Sequence, residues 1–191
     1  MHKKEIINSN SNNCINTLRD SISNYIKPVV KSGRPLVILC IGTDRSTGDS
    51  LGPLVGEKLK FLDRDNVFVY GNLKTPVHSK NLQENINLIY STYNNPFIVA
   101  IDASLGSLQS IGSISLQNKP LRPGAAMNKD LPPIGDISIT GIVNISGGLE
   151  FMVLQNTRLY VVMRLADIIS KGVYHSIIKT IGGKNTASNV I

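Results

Sequence analysis

The chain has 191 residues, 20 basic against 13 acidic side chains for a net charge of +7, and no tryptophan. This suits a single domain over residues 1–191, with a sizeable aliphatic core and a leaning toward acidic partners. Scattered Lys and Arg without interleaved aromatics argue against nucleic acid, and the apolar runs fall far short of the roughly 20 residues of a membrane helix.

At the N-terminus, Lys3 and Lys4 lead toward Asn and Ser rather than a signal-peptide core, so the expected location is the cytoplasm. Residues 1–13 carry Asn8, Asn10, Asn12 and Asn13 among serines and are expected to be flexible. Ile15, Leu18, Ile22, Tyr25, Ile26 and Val29 then follow helical spacing, with an end near Pro28. Residues 36–41 form an apolar run rich in branched side chains, the pattern of a buried strand. Cys40 sits inside it as core packing; together with Cys14 it is too little for a disulfide framework. A polar, glycine-bearing loop covers 42–48, and Asp49 opens a helix with Leu51, Leu54, Val55 and Leu59 on one face.

A second strand is expected over 66–70 and a loop over 71–78. A helix carrying Leu82, Ile86 and Ile89 follows, capped by His78 or Ser79. The run FIVAI at 97–101 is a third strand, ending at Asp102. Strand, helix, strand, helix, strand means parallel units with right-handed crossovers. Residues 111–116 alternate as a strand nearer an edge, and 119–135 form a long Pro- and Gly-bearing loop. A fifth strand is expected over 137–143, one long helix over 149–169, and a flexible Gly, Asn and Ser tail over 182–191.

In a parallel sheet the first three strand ends open on one edge. They carry Asp44 and Asp49, then Lys74, Thr75 and His78, then Asp102 and Ser104. Two carboxylates and an imidazole can hold a divalent metal ion with open positions. Two carboxylates placed together can instead share one proton and serve as acid and base. Each residue also has a plainer role: Asp49 as a helix cap, Asp102 as an acceptor for loop amides, His78 as a cap, and Asp44 paired with Arg45. Ser104 and His78 lack the sequence of a nucleophile elbow. The loop GTDRSTGD is neither a Walker motif nor GxGxxG, although its amides suit an anion at the helix mouth.

The segments CIGTDRSTGDSLGPLVGEKL, YGNLKTPVHSKNL, IDASLG, GDISITGIVNISGG and LQNTRL together resemble the YyaC family of sporulation proteins, also called spore proteases. The resemblance spans residues 35–169. More distantly, the glycine loop followed by Asp-x-Leu-Gly-Pro is similar to the germination protease of spore formers and to the hydrogenase maturation endopeptidases. These imply a three-layer α/β/α sandwich, phosphorylase/hydrolase-like, on a mainly parallel sheet of five strands or slightly more.

The resemblance also implies that Asp49 and Asp102 are the paired acids, working directly or through a divalent metal. The nickel-gripping His of the hydrogenase enzymes has no counterpart, because no His lies between residues 111 and 163. The resulting expectation is a peptidase-like hydrolase of sporulation or germination. Asp49 and Asp102 activate water, and Asp44, Thr75, His78 and Ser104 contact a spore-protein substrate. The alternatives are a non-catalytic spore binding or regulatory protein that keeps the fold and its acids, and an anion or nucleotide sensor. The assembly stays open, a homo-oligomer included.

Overall fold

A computed structural model of the chain describes residues 4–123 and 132–182. In chain order it contains β1 (Lys4–Asn8), α1 (Cys14–Lys31), β2 (Leu36–Cys40), α2 (Leu51–Leu59), β3 (Val67–Tyr70), α3 (Leu82–Thr92), β4 (Phe97–Gly106), β5 (Ser113–Gln117), β6 (Ile137–Ile145), α4 (Glu150–Gln155) and α5 (Leu159–Ile181). The strands form one six-stranded sheet in the order β1-β5-β6-β4-β2-β3. Pairs β2–β3, β2–β4 and β4–β6 are parallel, while β5 runs antiparallel to both β6 and β1.

Alternation along the central strands builds two cores. Leu36, Ile38 and Cys40 of β2, with Val99 and Ile101 of β4, pack against α1, α2 and α5. Val37, Leu39, Ile98 and Ala100 turn the other way, onto Leu82, Ile86 and Ile89 of α3. Both faces of β2 are covered and all five of its residues are buried, which is why it reads as an unbroken apolar run. The result is an α/β/α sandwich. Among the described residues no helix is long and apolar enough to cross a membrane.

Four features depart from the sequence expectations. The N-terminal stretch does not fray over residues 4–8; it is β1, held by antiparallel pairing to β5. Pro28 does not end α1, which runs on to Lys31. Asn24 and Pro28 are both exposed, so the Asn24 carbonyl, to which Pro28 has no N–H to donate, faces water. β4 continues past Asp102 to Gly106 because Ala103, Ser104, Leu105 and Gly106 pair with β6. The helix expected over 149–169 is two. Asn156 Nδ2 donates to Met152 O (2.8 Å) and Thr157 Oγ1 to Val153 O (2.9 Å), closing α4 before α5 begins. Of the expected flexible tail over 182–191, all but Gly182 lies outside the described residues, as does the central part of the Pro- and Gly-bearing loop, 124–131.

The topology fixes where a site can form. From β2 the chain crosses through α2 to β3 on one side, then through α3 back over to β4 on the other side of β2. The strand order therefore reverses between β2 and β4, the crevice where ligands bind in open α/β sheets.

Candidate active site

At the carboxyl end of β2 the chain turns sharply into α2. Gly42 takes φ +140°, and a β-carbon there would lie 2.0 Å from the carbonyl oxygen of Asp49, so only glycine lets the loop close on itself. Thr43 N donates to that carbonyl (3.1 Å), and Gly42 N donates across to Val77 O (2.8 Å). Asp49 itself lies in a 3₁₀ turn, Gly48–Ser50, that runs straight into α2. The N-cap position of α2 is Ser50, whose hydroxyl donates to Thr47 O (2.6 Å). Asp49 is thus one residue away from the cap position, and its half-buried side chain lines a cleft.

Asp102 stands where β2 and β4 part. Cys40 still pairs with Ile101 and Ile41 N donates to Ile101 O (2.7 Å); one residue further on, β2 has left the sheet and Asp102 pairs with Thr140 of β6. Asp102 is buried, and Ala103 N donates to its Oδ1 (2.7 Å). Burial pushes its carboxyl well above the ordinary range, and the Asp49 charge pushes it further; the Ala103 bond opposes both. Asp49 is therefore close enough to act on the protonation of Asp102.

Both acids line one cleft of about 870 Å³, which is large enough for a peptide segment. His78 and Ser104 line it as well. His78 Nδ1 accepts from Lys80 N (3.3 Å), so the neutral ring carries its proton on Nε2. The expected capping by His78 or Ser79 gives way to Asn81, the N-cap residue of α3, which also accepts from His78 N at its Oδ1 (2.8 Å). Ser104 Oγ donates to Leu105 O (3.1 Å), so its hydroxyl proton is committed to the backbone.

Asp44 and Thr75 do not join this group. Asp44 is exposed on the outer side of the loop and lines no part of the cleft; among the described residues it forms no ion pair with Arg45. Thr75 is exposed and lines no part of the cleft, and its amide (2.8 Å) and its hydroxyl (3.1 Å) both donate to Asn72 Oδ1.

Sequence reasoning missed several cleft residues. Arg45, Lys80 and Arg122 line it with charged side chains, and α4 adds Glu150 and Phe151. Ser46 lines it too, buried, its hydroxyl without a hydrogen-bond partner among the described residues. Arg45 and Lys80 stand close in sequence to Asp44 and His78, which the strand-end pattern does single out. Glu150 and Phe151 carry no such signal, because local bonds close α4 but a tertiary contact fixes it against the sheet. Asn144 Nδ2 donates to Val153 O and to Thr157 Oγ1 (3.2 Å each), tying α4 to β6.

The donor set does not fit a resident divalent ion. Among the described residues no group of three or more His, Cys, Asp or Glu side chains is placed to hold one.

Known proteins add a family. A protein of Bacillus subtilis named "Uncharacterized protein YyaC" is 53% identical over 141 residues, which is 74% of this chain and 69% of that protein. Among solved structures, a [NiFe] hydrogenase maturation protease HycI from Thermococcus kodakarensis superposes with TM-score 0.47 at 20% identity, covering 81% of this chain and 99% of that one. A hydrogenase 3 maturation protease gives TM-score 0.45 at 18% identity, covering 73% and 89%. Residues 6–172 match the family described as "Protein of unknown function (DUF1256)". The chain belongs to that family.

Proposed function

We propose that this protein is a peptidase-like hydrolase in which Asp49 and Asp102 work as an acid–base pair on water. The observation that carries this reading is the placement of two carboxyls at one crevice, with Asp102 buried and its protonated form favoured by desolvation and by the Asp49 charge. A peptide lies across the cleft with its carbonyl toward Asp102. The Asp49 carboxylate takes a proton from water, and the water oxygen attacks the carbonyl carbon. Asp102 gives its proton to the carbonyl oxygen, so no bare oxyanion forms. On collapse of the tetrahedral intermediate, Asp49 passes its proton to the leaving nitrogen and Asp102 recovers its own from the hydroxyl.

The loop amides contribute less than the sequence suggested. Those of Gly42, Thr43 and Arg45 already donate to Val77 O, Asp49 O and Thr43 Oγ1, and in this reading the Asp102 proton neutralises the carbonyl oxygen. The substrate is a protein of the spore, met in the cytoplasm of a sporulating or germinating cell, as the resemblance implies.

The test is hydrolysis of unfolded proteins and peptide mixtures, read by mass spectrometry, with the unaltered chain and with Asp49→Asn and Asp102→Asn. The expected result is cleavage that falls by about 10²–10⁴-fold in either variant. No cleavage by the unaltered chain, or equal rates in all three, overturns the hydrolase and leaves a protein that only binds.

A further inference from the structure

Exposed apolar side chains concentrate around α4. Among the described residues, six of the twelve large apolar side chains left exposed fall between Ile145 and Tyr160. Leu149, Phe151, Met152, Leu159 and Tyr160 are each between 53% and 76% exposed. α4 is a helix of 6 residues, about 9 Å long, and α5 begins just after it, so the five lie within one small region of the surface. Leu149 is held at φ +58°, a left-handed conformation that a bulky side chain adopts only at a cost. A strained leucine is a poor choice for a surface that meets only water. With about 100 Å² of each side chain open, the five present roughly 500 Å² of apolar surface, the upper part of what a monomer leaves bare. A standard interface covers about 800 Å² per partner, of which roughly 60% is apolar, so this is the area that one side of a stable dimer requires.

The charges indicate the occupant. Between Ile145 and Tyr160 the charged residues are Glu150 and Arg158 alone, in a chain of net charge +7. The region is thus neutral and offers neither an acidic nor a basic partner a surplus of opposite charge. Glu150 begins α4 and Arg158 stands just past its end; among the described residues neither makes an ion pair. A two-fold axis sets the first of two residues against the second and the second against the first. An acid at one end of a short helix and a base at the other therefore complement a second copy of themselves. We propose that this region is a dimer interface between two copies of the chain, with α4 antiparallel to its counterpart. Glu150 of each copy pairs with Arg158 of the other, and the apolar side chains pack between the two pairs. The proposal does not depend on what the cleft does.

The experiment is sedimentation velocity with the full chain over about 1–100 μM. The expected result is a reversible dimer with a Kd of about 10 μM or tighter, the weak end for an interface of this size. Met152→Ser with Leu159→Ser is expected to stay monomeric over that range. Both positions are exposed, so its circular dichroism should match that of the unaltered chain. Glu150→Arg and Arg158→Glu, each alone, turn two attractive pairs into two repulsive ones and weaken dimerisation by about tenfold or more. Mixed in equal amounts, these two variants are expected to associate with each other, because each supplies the sign that the other lacks. An ion pair within one chain could not produce that rescue. An unaltered chain that stays monomeric at about 100 μM, whether or not it adsorbs to phosphatidylcholine vesicles, overturns the inference. So does a dimer equally tight in the double Ser variant, or a mixture of the two charge variants that does not associate.

Discussion

A β-carbon on Gly52 would stand 2.0 Å from the carbonyl oxygen of Ile41. The first turn of α2 thus lies directly on the last residue before the loop, backbone to backbone. That contact is what aims the 3₁₀ turn, and Asp49 within it, at the crevice beside Asp102. Nothing flexible stands in the way to yield, since the atoms nearest the added carbon all belong to the Ile41 backbone.

Gly52→Ala must therefore move α2 off the sheet edge. Overpacking against fixed backbone is expected to cost about 3 kcal/mol. In a chain of this size that lowers the melting temperature by roughly 6–12 °C. The control is Gly147→Ala, at an exposed position where the added carbon meets nothing within 4 Å. It should stay within about 0.5 kcal/mol of the unaltered chain. Thermal denaturation of the two variants separates them, and equal midpoints would contradict the contact.

Asp136 gives a second, opposite kind of prediction. Its Oδ2 accepts from Ile98 N (2.8 Å), and its own amide donates to Ile98 O (2.8 Å), so it clips the start of β6 to β4. Ile98 is fully buried, so removing the acceptor strands a buried N–H group. Asp136→Ala should cost about 1–3 kcal/mol, and Asp136→Asn, which keeps an acceptor, should recover most of it. Asp102 lies four residues along the same strand, about 13 Å away. Hydrolysis and peptide binding at a temperature where both variants are folded should therefore not change. Loss of activity in a folded Asp136→Ala protein would show that the strand ends are coupled.

The central sheet was legible because β2 and the first part of β4 are buried on both faces, and burial leaves an uninterrupted apolar run. β1 was not, because Lys4, Glu5, Ile6, Ile7 and Asn8 bury only Ile7 within the strand, and partners more than a hundred residues away supply the rest of its stability. The positions of the two acids along the chain were legible because Asp102 directly follows the apolar run of β4 and Asp49 opens the helix that follows β2. Thr75 was misplaced because its neighbour Asn72 draws it into a local turn, a choice that composition does not reveal. Arg122, Glu150 and Phe151 reach the cleft from segments whose direction is set by distant contacts, and no local pattern marks them.

The last prediction concerns pH. Asp102 has a folded-state pKa above its unfolded value, with desolvation as the first cause and the Asp49 charge as the second. Below the ordinary carboxyl range both folded and unfolded chains hold the proton, and the folded state suffers no penalty. As pH rises from about 4, the unfolded chain releases the proton first, so stability falls until the folded carboxyl ionises as well. Asp102→Asn has no proton to lose, and its side-chain oxygen can still accept from Ala103 N. Its melting temperature should therefore match the unaltered chain near pH 3 and exceed it at pH 8, while its hydrolysis is lost. Asp49→Asn should lower the Asp102 titration seen by carboxyl-carbon NMR only part of the way, because the larger cause, burial, remains. A return to the ordinary carboxylate range in that variant would mean that Asp49, and not burial, holds the proton on Asp102.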